Sequence, residues 1–266
     1  MKKALLVGIN SYKDAPLKGC VNDVHLIKKL LVAQNYEVDV LVENMATKIN
    51  IMENLEALLF GSNKDDSILF HFSGHGSQVP DISGDEKDGL DECLLPIDYS
   101  WDNVILDDDL DILFNRYPNA HVEVILDACH SGSGTRSALL PGIGSASFDR
   151  FIQPPMELFE HINSPDKCKV KQLRCRDVVT WSGCRDDQTS ADANINGQYH
   201  GIFTYALCNN MCSTRICSLE LTRKFIKQRA YSQVPQLDCK FTQLGTPLFE
   251  CKSSLIKSIK ASLTKC

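Results

Sequence analysis

A mostly parallel α/β sheet flanked by helices on both faces is the fold class this sequence predicts, and three observations lead there. Short β-rich apolar runs alternate with helical patterns through the first half of the chain, the arrangement that builds parallel strands with helical crossovers. Two of those runs, in "DDSILFHFSGHGSQ" (65–78) and "VEVILDACHSG" (122–132), finish on a reactive side chain, and open α/β sheets place their ligands outside the carboxyl ends of the strands. The chain also has the make-up of one sizeable domain: 266 residues, 43% hydrophobic and 23% charged, enough to bury an ordinary core.

The elements follow in order. The apolar run Ala4, Leu5, Leu6, Val7 predicts a first strand over 3–8. Val24, Ile27, Leu30 and Leu31 share one face of a helix over 21–31, and Ile51, Leu55, Leu58 and Leu59 do the same over 49–60. Between and after these, strands are expected over 37–43, 67–73 and 121–127, with a shorter helix following Asp107. The stretch 135–176 carries Gly and Pro breaks and weak periodicity; a connection that long in a compact domain is functional or partly disordered. A strand resumes over 177–181, helices are expected near 201–211 and 218–229, and a last short strand over 247–250. Leu255, Ile259 and Leu263, four apart with basic residues between, suggest a core-capping helix in the tail, with a membrane-surface or partner helix as the alternative.

Composition excludes several function classes. A net charge of -6 and a pI near 5.6 give no electrostatic footprint for nucleic acid. No apolar run approaches the ~20 residues that span a bilayer. The start "MKKALLVGINSYKD" offers only four consecutive apolar residues, short of the about 7–15 of a secretory h-region, so a cytoplasmic protein without membrane contact is expected. The 12 cysteines include no C-x-x-C pair, which leaves a metal finger without its spacing and favours reduced, buried thiols. No G-x-G-x-x-G or P-loop follows the first strand, against a phosphate-binding module.

The two run-outs put His75, in "HFSGHGSQ", and Cys129, in "DACHSG", at one edge of the expected sheet. A thiol attacks a carbonyl as its thiolate, and a neighbouring imidazole can take the proton and return it to the leaving amine. Gly76, without a side chain, lets its N–H approach a substrate, and with the N–H of Cys129 it makes a pair able to hold an oxyanion. On spacing alone, an inert buried thiol and a loop histidine stand beside this reading. His130, next to the nucleophile candidate, is expected to be a solvated turn residue.

"HFSGHGSQ", then "DGLDECLLPID", then "DACHSG", in this order and spacing, closely resemble the metacaspase branch of the caspase-like cysteine peptidases (peptidase C14). The likeness extends from "ALLVGINSY" to "VTWSGCRDDQTSADA" (179–193) and "GIFTYAL" (201–207). The resemblance implies the caspase–haemoglobinase fold and a Cys129/His75 dyad. It implies one peptidase domain over 1–266, with a large-subunit-like part over 1–134, a connector over 135–176 and a small-subunit-like part over 177–266. It also implies a monomer acting on proteins or peptides with Arg or Lys before the scissile bond. The family positions for that pocket match Cys20, Asp23, Ser73 and Asp127, and two carboxylates in a desolvated slot suit a guanidinium. Alone, Asp23 reads equally as a helix N-terminal acid and Asp127 as a strand-end residue bonding local backbone.

Many metacaspases use calcium, and the matching positions are Asp91, Asp107 and Asp108 within an acidic stretch suited to a hard cation. A further family ligand, seven residues past the nucleophile, is Arg136 here, which removes a carboxylate and adds a positive charge. The connector holds Arg136, Arg150, Lys167, Lys169, Lys171, Arg174 and Arg176. Self-processing is expected there, with Arg174 and Arg176 or the Lys167–Lys171 group as candidates. No role is assigned to Trp181, read as a core or rim aromatic, or to Asp187. Two rivals differ in outcome: a catalytically silent binding scaffold, and a same-fold peptidase preferring acidic residues.

Overall fold

In the computed structural model, residues 1–84, 86, 88–130, 148–159, 178–185 and 188–248 are described. The chain begins with β1 (Lys2–Gly8), α1 (Cys20–Val32), β2 (Glu37–Val42), α2 (Lys48–Leu59) and β3 (Ser67–Ser73). Then come β4 (Gly76–Pro80), β5 (Leu90–Leu94), β6 (Ile105–Leu106), α3 (Asp107–Arg116), β7 (His121–Asp127) and β8 (Phe148–Asp149). The remainder forms β9 (Val178–Ser182), β10 (Ala191–Ile195), β11 (Gln198–Gly201), α4 (Ile202–Asn210), α5 (Arg215–Gln228) and β12 (Gln236–Asp238).

Side chains alternate across β1, and each parity meets different helices. Leu5 and Val7 pack with Phe70, Phe72, Val122 and Val124 against Ile51, Leu55 and Leu59 of α2 and Leu110, Leu113 and Phe114 of α3. Ala4 and Leu6 pack with Leu69 and Ile125 against Val24, Ile27 and Leu31 of α1, Phe203 and Leu207 of α4 and Leu219 of α5. Burial on both faces is why these strands are apolar throughout rather than at every second residue.

The main sheet has the order β12-β9-β7-β3-β1-β2. All its pairings are parallel except that of β12 with β9. The strand order reverses at β1, whose neighbours are β2 and β3, so the crevice at its carboxyl end is where a ligand site is expected. Two small antiparallel sheets stand over that edge, β4-β5-β6 on one side and β11-β10-β8 on the other.

The expected α/β class is observed, with the strands over 67–73 and 121–127 where the sequence puts them. The expected last strand over 247–250 is not: Pro247 and Leu248 lie outside any strand. Pro247 has no N–H to give a ladder, and Leu248 is instead buried beside α1, α4 and α5. Among the described residues, the sheet's last strand in chain order is β12. Residues 249–250, the tail helix, Arg136, Asp187 and the processing candidates at 167–176 fall outside the described residues. Among the described residues, no helix is long and apolar enough to cross a membrane.

Candidate active site

Register alone brings the two reactive residues together. Ser73, the last residue of β3, is opposite Asp127, the last of β7, so His75 and Cys129 each lie two residues beyond a paired position. Both are buried. A Cβ on Gly76 would lie 2.2 Å from the Cys129 carbonyl oxygen and 2.9 Å from its carbon; only glycine permits this approach of one backbone to the other.

The imidazole is held on several sides. Nε2 of His75 lies 2.7 Å from the Ala15 carbonyl, and a carbonyl only accepts, so Nε2 carries the proton and Nδ1 the lone pair. Nδ1 is buried without a hydrogen-bond partner. The Tyr12 hydroxyl accepts from the His75 N–H at 3.1 Å and donates to the Leu95 carbonyl at 2.7 Å. Its ring meets the imidazole edge-on, with centroids 4.6 Å apart. Burial, above all, lowers the His75 pKa to about 4; the ring is neutral at neutral pH.

The Cys129 thiol does not bond Nδ1. It accepts from the Ser190 N–H, and the Cys184 sulfur is 3.7 Å away. Burial and then the Cys184 thiol push the Cys129 pKa well above the ordinary value. The resting pair is therefore a neutral thiol and a neutral imidazole.

Next to this pair is a pocket of carboxylates, and it is full. Nη2 of Arg150 donates to Asp23 Oδ2 at 2.8 Å and Asp192 Oδ1 at 3.1 Å. Nη1 donates to Ser73 Oγ at 2.7 Å and the Asp127 carbonyl at 2.9 Å, with Asp127 Oδ1 at 3.2 Å. The guanidinium and all three carboxylates are wholly buried. Burial pushes the Asp23 carboxyl up, and Arg150 beside it pulls it back down. Burial likewise raises the thiol of Cys20, which lies beside Ser73 and within reach of Arg150. Gly201 closes the floor, where a Cβ would meet Asp127 Oδ2 at 2.2 Å and Arg150 Nη1 at 2.6 Å.

All the positions expected for this pocket, Cys20, Asp23, Ser73 and Asp127, surround one guanidinium. Sequence reasoning missed Asp192, Ser190, Cys184, Tyr12 and Arg150 as its occupant. The first three sit in "VTWSGCRDDQTSADA", and that segment's place in the resemblance was the available signal. Asp192 also fixes the start of α1, its Oδ2 accepting from the N–H groups of Lys18 and Gly19 at 2.7 and 3.1 Å. Asp127 accepts from Ser190 Oγ and from the Thr204 N–H and hydroxyl, partners distant in sequence rather than the local backbone its strand-end position suggests. His130 corrects its expectation: it is partly buried, 4.0 Å from Glu92, rather than solvated. Trp181 is a core residue.

Asp91 is buried on β5, while Asp107 and Asp108 open α3. Burial, then Glu92 and Asp108, raise Asp107 to about 7. Among the described residues, no group of three or more His, Cys, Asp or Glu side chains is arranged to hold a metal ion, and no catalytic step is derived through calcium.

Comparison with known proteins places this geometry. The caspase domain family (Peptidase_C14) matches residues 1–244. Metacaspase-1 of Scheffersomyces stipitis is 31% identical over 91% of the chain and 71% of its own length. Metacaspase-1A of Aspergillus niger is 32% identical over 90% of the chain and 70% of its own. A Geobacter sulfurreducens protein of known crystal structure shares the fold, with a TM-score of 0.65 at 24% identity over 93% of this chain and 99% of that one.

Proposed function

The chain belongs to the caspase-domain family, within its metacaspase branch, and is a cysteine-type endopeptidase; from that premise we propose that it cleaves after Arg or Lys through Cys129 and His75. One observation carries the reading: a buried guanidinium among Asp23, Asp127 and Asp192, belonging to a residue whose carbonyl accepts from the N–H groups of Gly76 and Cys129. An acidic pocket of this kind favours a cationic side chain and disfavours a carboxylate.

With a peptide so seated, the Cys129 sulfur attacks the carbonyl carbon while its proton passes to His75 Nδ1. Negative charge gathers on the carbonyl oxygen, where two preorganised N–H groups are already aimed. The imidazolium then protonates the departing amine as the carbon–nitrogen bond breaks, and water hydrolyses the thioester. Because burial disfavours both charged partners, the proton moves with the attack and not before it. The Ala15 carbonyl holds the Nε2 proton throughout, so Nδ1 is the nitrogen that takes the thiol proton and returns it.

A monomeric cytoplasmic enzyme, self-processed within the connector and stimulated by calcium near Asp91, Asp107 and Asp108, completes the proposal. The resemblance in motif order is what supports these points. The test is hydrolysis of fluorogenic peptides ending in Arg, Lys or Asp, with calcium and with chelator, beside Cys129→Ala. Cleavage after Arg or Lys that disappears in Cys129→Ala is expected. Cleavage after Asp, or activity surviving in Cys129→Ala, overturns the reading.

A further inference from the structure

The residue filling the carboxylate pocket belongs to the chain itself, and its neighbours are laid out as a peptide on both sides of one bond. Before it, Phe148 and Asp149 pair antiparallel with Asp192 and Ala191 of β10, and the Arg150 N–H donates to the Ser190 carbonyl at 3.1 Å. At Arg150 the side chain is wholly buried. The Arg150 carbonyl accepts from the Gly76 N–H at 3.0 Å and the Cys129 N–H at 3.2 Å. After it, Phe151 bridges to Gly76, the Ile152 N–H donates to the Gly76 carbonyl at 3.1 Å, and Ser77 Oγ donates to the Ile152 carbonyl at 2.7 Å.

A structural ion pair accounts for the side chain and for nothing else in that list. It gives no reason for one carbonyl to take the two N–H groups flanking the reactive thiol and imidazole. Nor does it explain three carboxylates around one guanidinium whose Nε is left without a partner. An extended segment added as a strand, with one side chain in a deep pocket, is how a peptide is bound for recognition.

We propose that the bond between Arg150 and Phe151 is this enzyme's own first substrate, and that the uncut chain is inhibited by the segment 148–152 lying across its site. This rests on the reading of the pocket as specific for Arg or Lys. In the cut, Cys129 Sγ bonds the Arg150 carbonyl carbon and the carbon–nitrogen bond to Phe151 breaks. The thiol proton goes through His75 to the new Phe151 amine, and one water releases residue 150 as a carboxylate and restores the thiol. The site also presents its preferred sequence, Phe-Asp-Arg before the cut and Phe-Ile after it. Arg174, Arg176 and the Lys167–Lys171 group are then secondary.

The full chain is produced as wild type, Cys129→Ala, Arg150→Lys and Arg150→Gln, and followed by intact mass and amino-terminal sequencing. In parallel, an Arg-ending fluorogenic peptide and the free peptide SFDRFIQ are assayed. Wild type is expected to yield fragments 1–150 and 151–266 with a new terminus at Phe151. Arg150→Lys yields the same cut, while Cys129→Ala stays whole and Arg150→Gln is not cut there. A tethered occupant acts at about millimolar effective concentration, so peptidase activity rises roughly a hundredfold or more in step with the Phe151 terminus. SFDRFIQ is cut between Arg and Phe, an outcome that does not depend on any variant folding. Hydrolysis of the Arg peptide by a chain that is uncut or cut only elsewhere overturns this proposal and leaves the Arg reading standing. Failure to cut any Arg or Lys peptide, SFDRFIQ included, removes both.

Discussion

Asp192 offers the sharpest test of the pocket, because it has two jobs that predict different outcomes. Its Oδ1 is 3.1 Å from the buried guanidinium, and its Oδ2 holds the backbone at the entrance of α1. Asp192→Asn keeps the shape and can keep an oxygen on the two N–H groups, but removes the charge facing the cation. A hydrogen bond to a charged group contributes about 1.5–3 kcal/mol net, and loss of charge from a buried pair costs about 2–5 kcal/mol. We take about 2–3 kcal/mol, because Asp23 and Asp127 remain on the same guanidinium. At about 1.4 kcal/mol per decade, kcat/KM for an Arg peptide falls about 30- to 150-fold. The assay is kcat/KM for two peptides differing only in Arg against citrulline, its uncharged near-isostere, using cut enzyme. The Arg-to-citrulline ratio is expected to fall by that whole factor. If both peptides lose rate equally, Asp192 acts by holding α1 in place and the electrostatic account of the pocket is wrong.

The other predictions concern close approach, proton linkage and a second buried ion pair. Gly76→Ala meets backbone of Cys129, not a flexible side chain, and kcat is expected to drop by about 100-fold or more, the scale of losing one oxyanion donor; near wild-type kcat would refute the close approach. Burial holds His71 at about 3 and His75 at about 4, whereas both titrate near 6.5 when unfolded. Between pH 6.5 and 4 the unfolded chain thus binds more protons, and stability falls as pH is lowered, by up to about 1.4 kcal/mol per pH unit for each histidine. Urea denaturation of Cys129→Ala with His71→Leu should show roughly half of that pH dependence, and an unchanged slope refutes the assignment. Glu123 and Arg215 are both buried, with Nη2 2.7 Å from Oε2. Arg215→Met takes the guanidinium from Glu123, leaving it the Trp181 indole N–H and His121, and should cost about 3–5 kcal/mol, part of it recovered in the double variant with Glu123→Leu; equal losses in single and double variants count against the pairing.

What the sequence makes legible is what one strand or helix determines by itself. His75 and Cys129 follow strands whose apolar runs are unbroken, so their place at the sheet's carboxyl edge is readable without tertiary information. Asp23, Ser73 and Asp127 are legible as pocket residues only through the family resemblance, because one element by itself reads Asp23 equally as a helix N-terminal acid and Asp127 as a strand-end residue. The missed residues arrive by pairings across long sequence separations. Arg150 reaches Asp192 over 42 positions and Asp23 over 127, through β8, a strand of two residues whose sequence carries no period. The strands β4 and β5, "GSQVP" and "LDECL", are too short and polar to show alternation, although they shape the wall beside His75. Only Arg150's basic character was visible, and in a connector with seven such residues it did not distinguish itself.

The same physics explains why such a pocket needs an internal occupant. Three carboxylates buried without a cation would keep the hydrogen bonds of their neighbours but have no compensating charge, and the cost would fall on folding itself. Arg150 offsets it and, by lying there, covers the N–H pair and separates thiol and imidazole from any other peptide. On the proposed self-inhibition, stability of the uncut chain and its silence are one property of one residue. Once the segment leaves, the unmet demand for a cation remains with Asp23, Asp127 and Asp192. Under the proposed Arg preference, a substrate's arginine then gains what the enzyme lost, which ties the strength of Arg recognition to the stability given up on cutting. The cut enzyme should accordingly melt below the uncut Cys129→Ala chain and recover most of the difference when saturated with an uncleavable Arg peptide. If a citrulline peptide stabilises it equally well, the pocket's charge is not what the occupant satisfies.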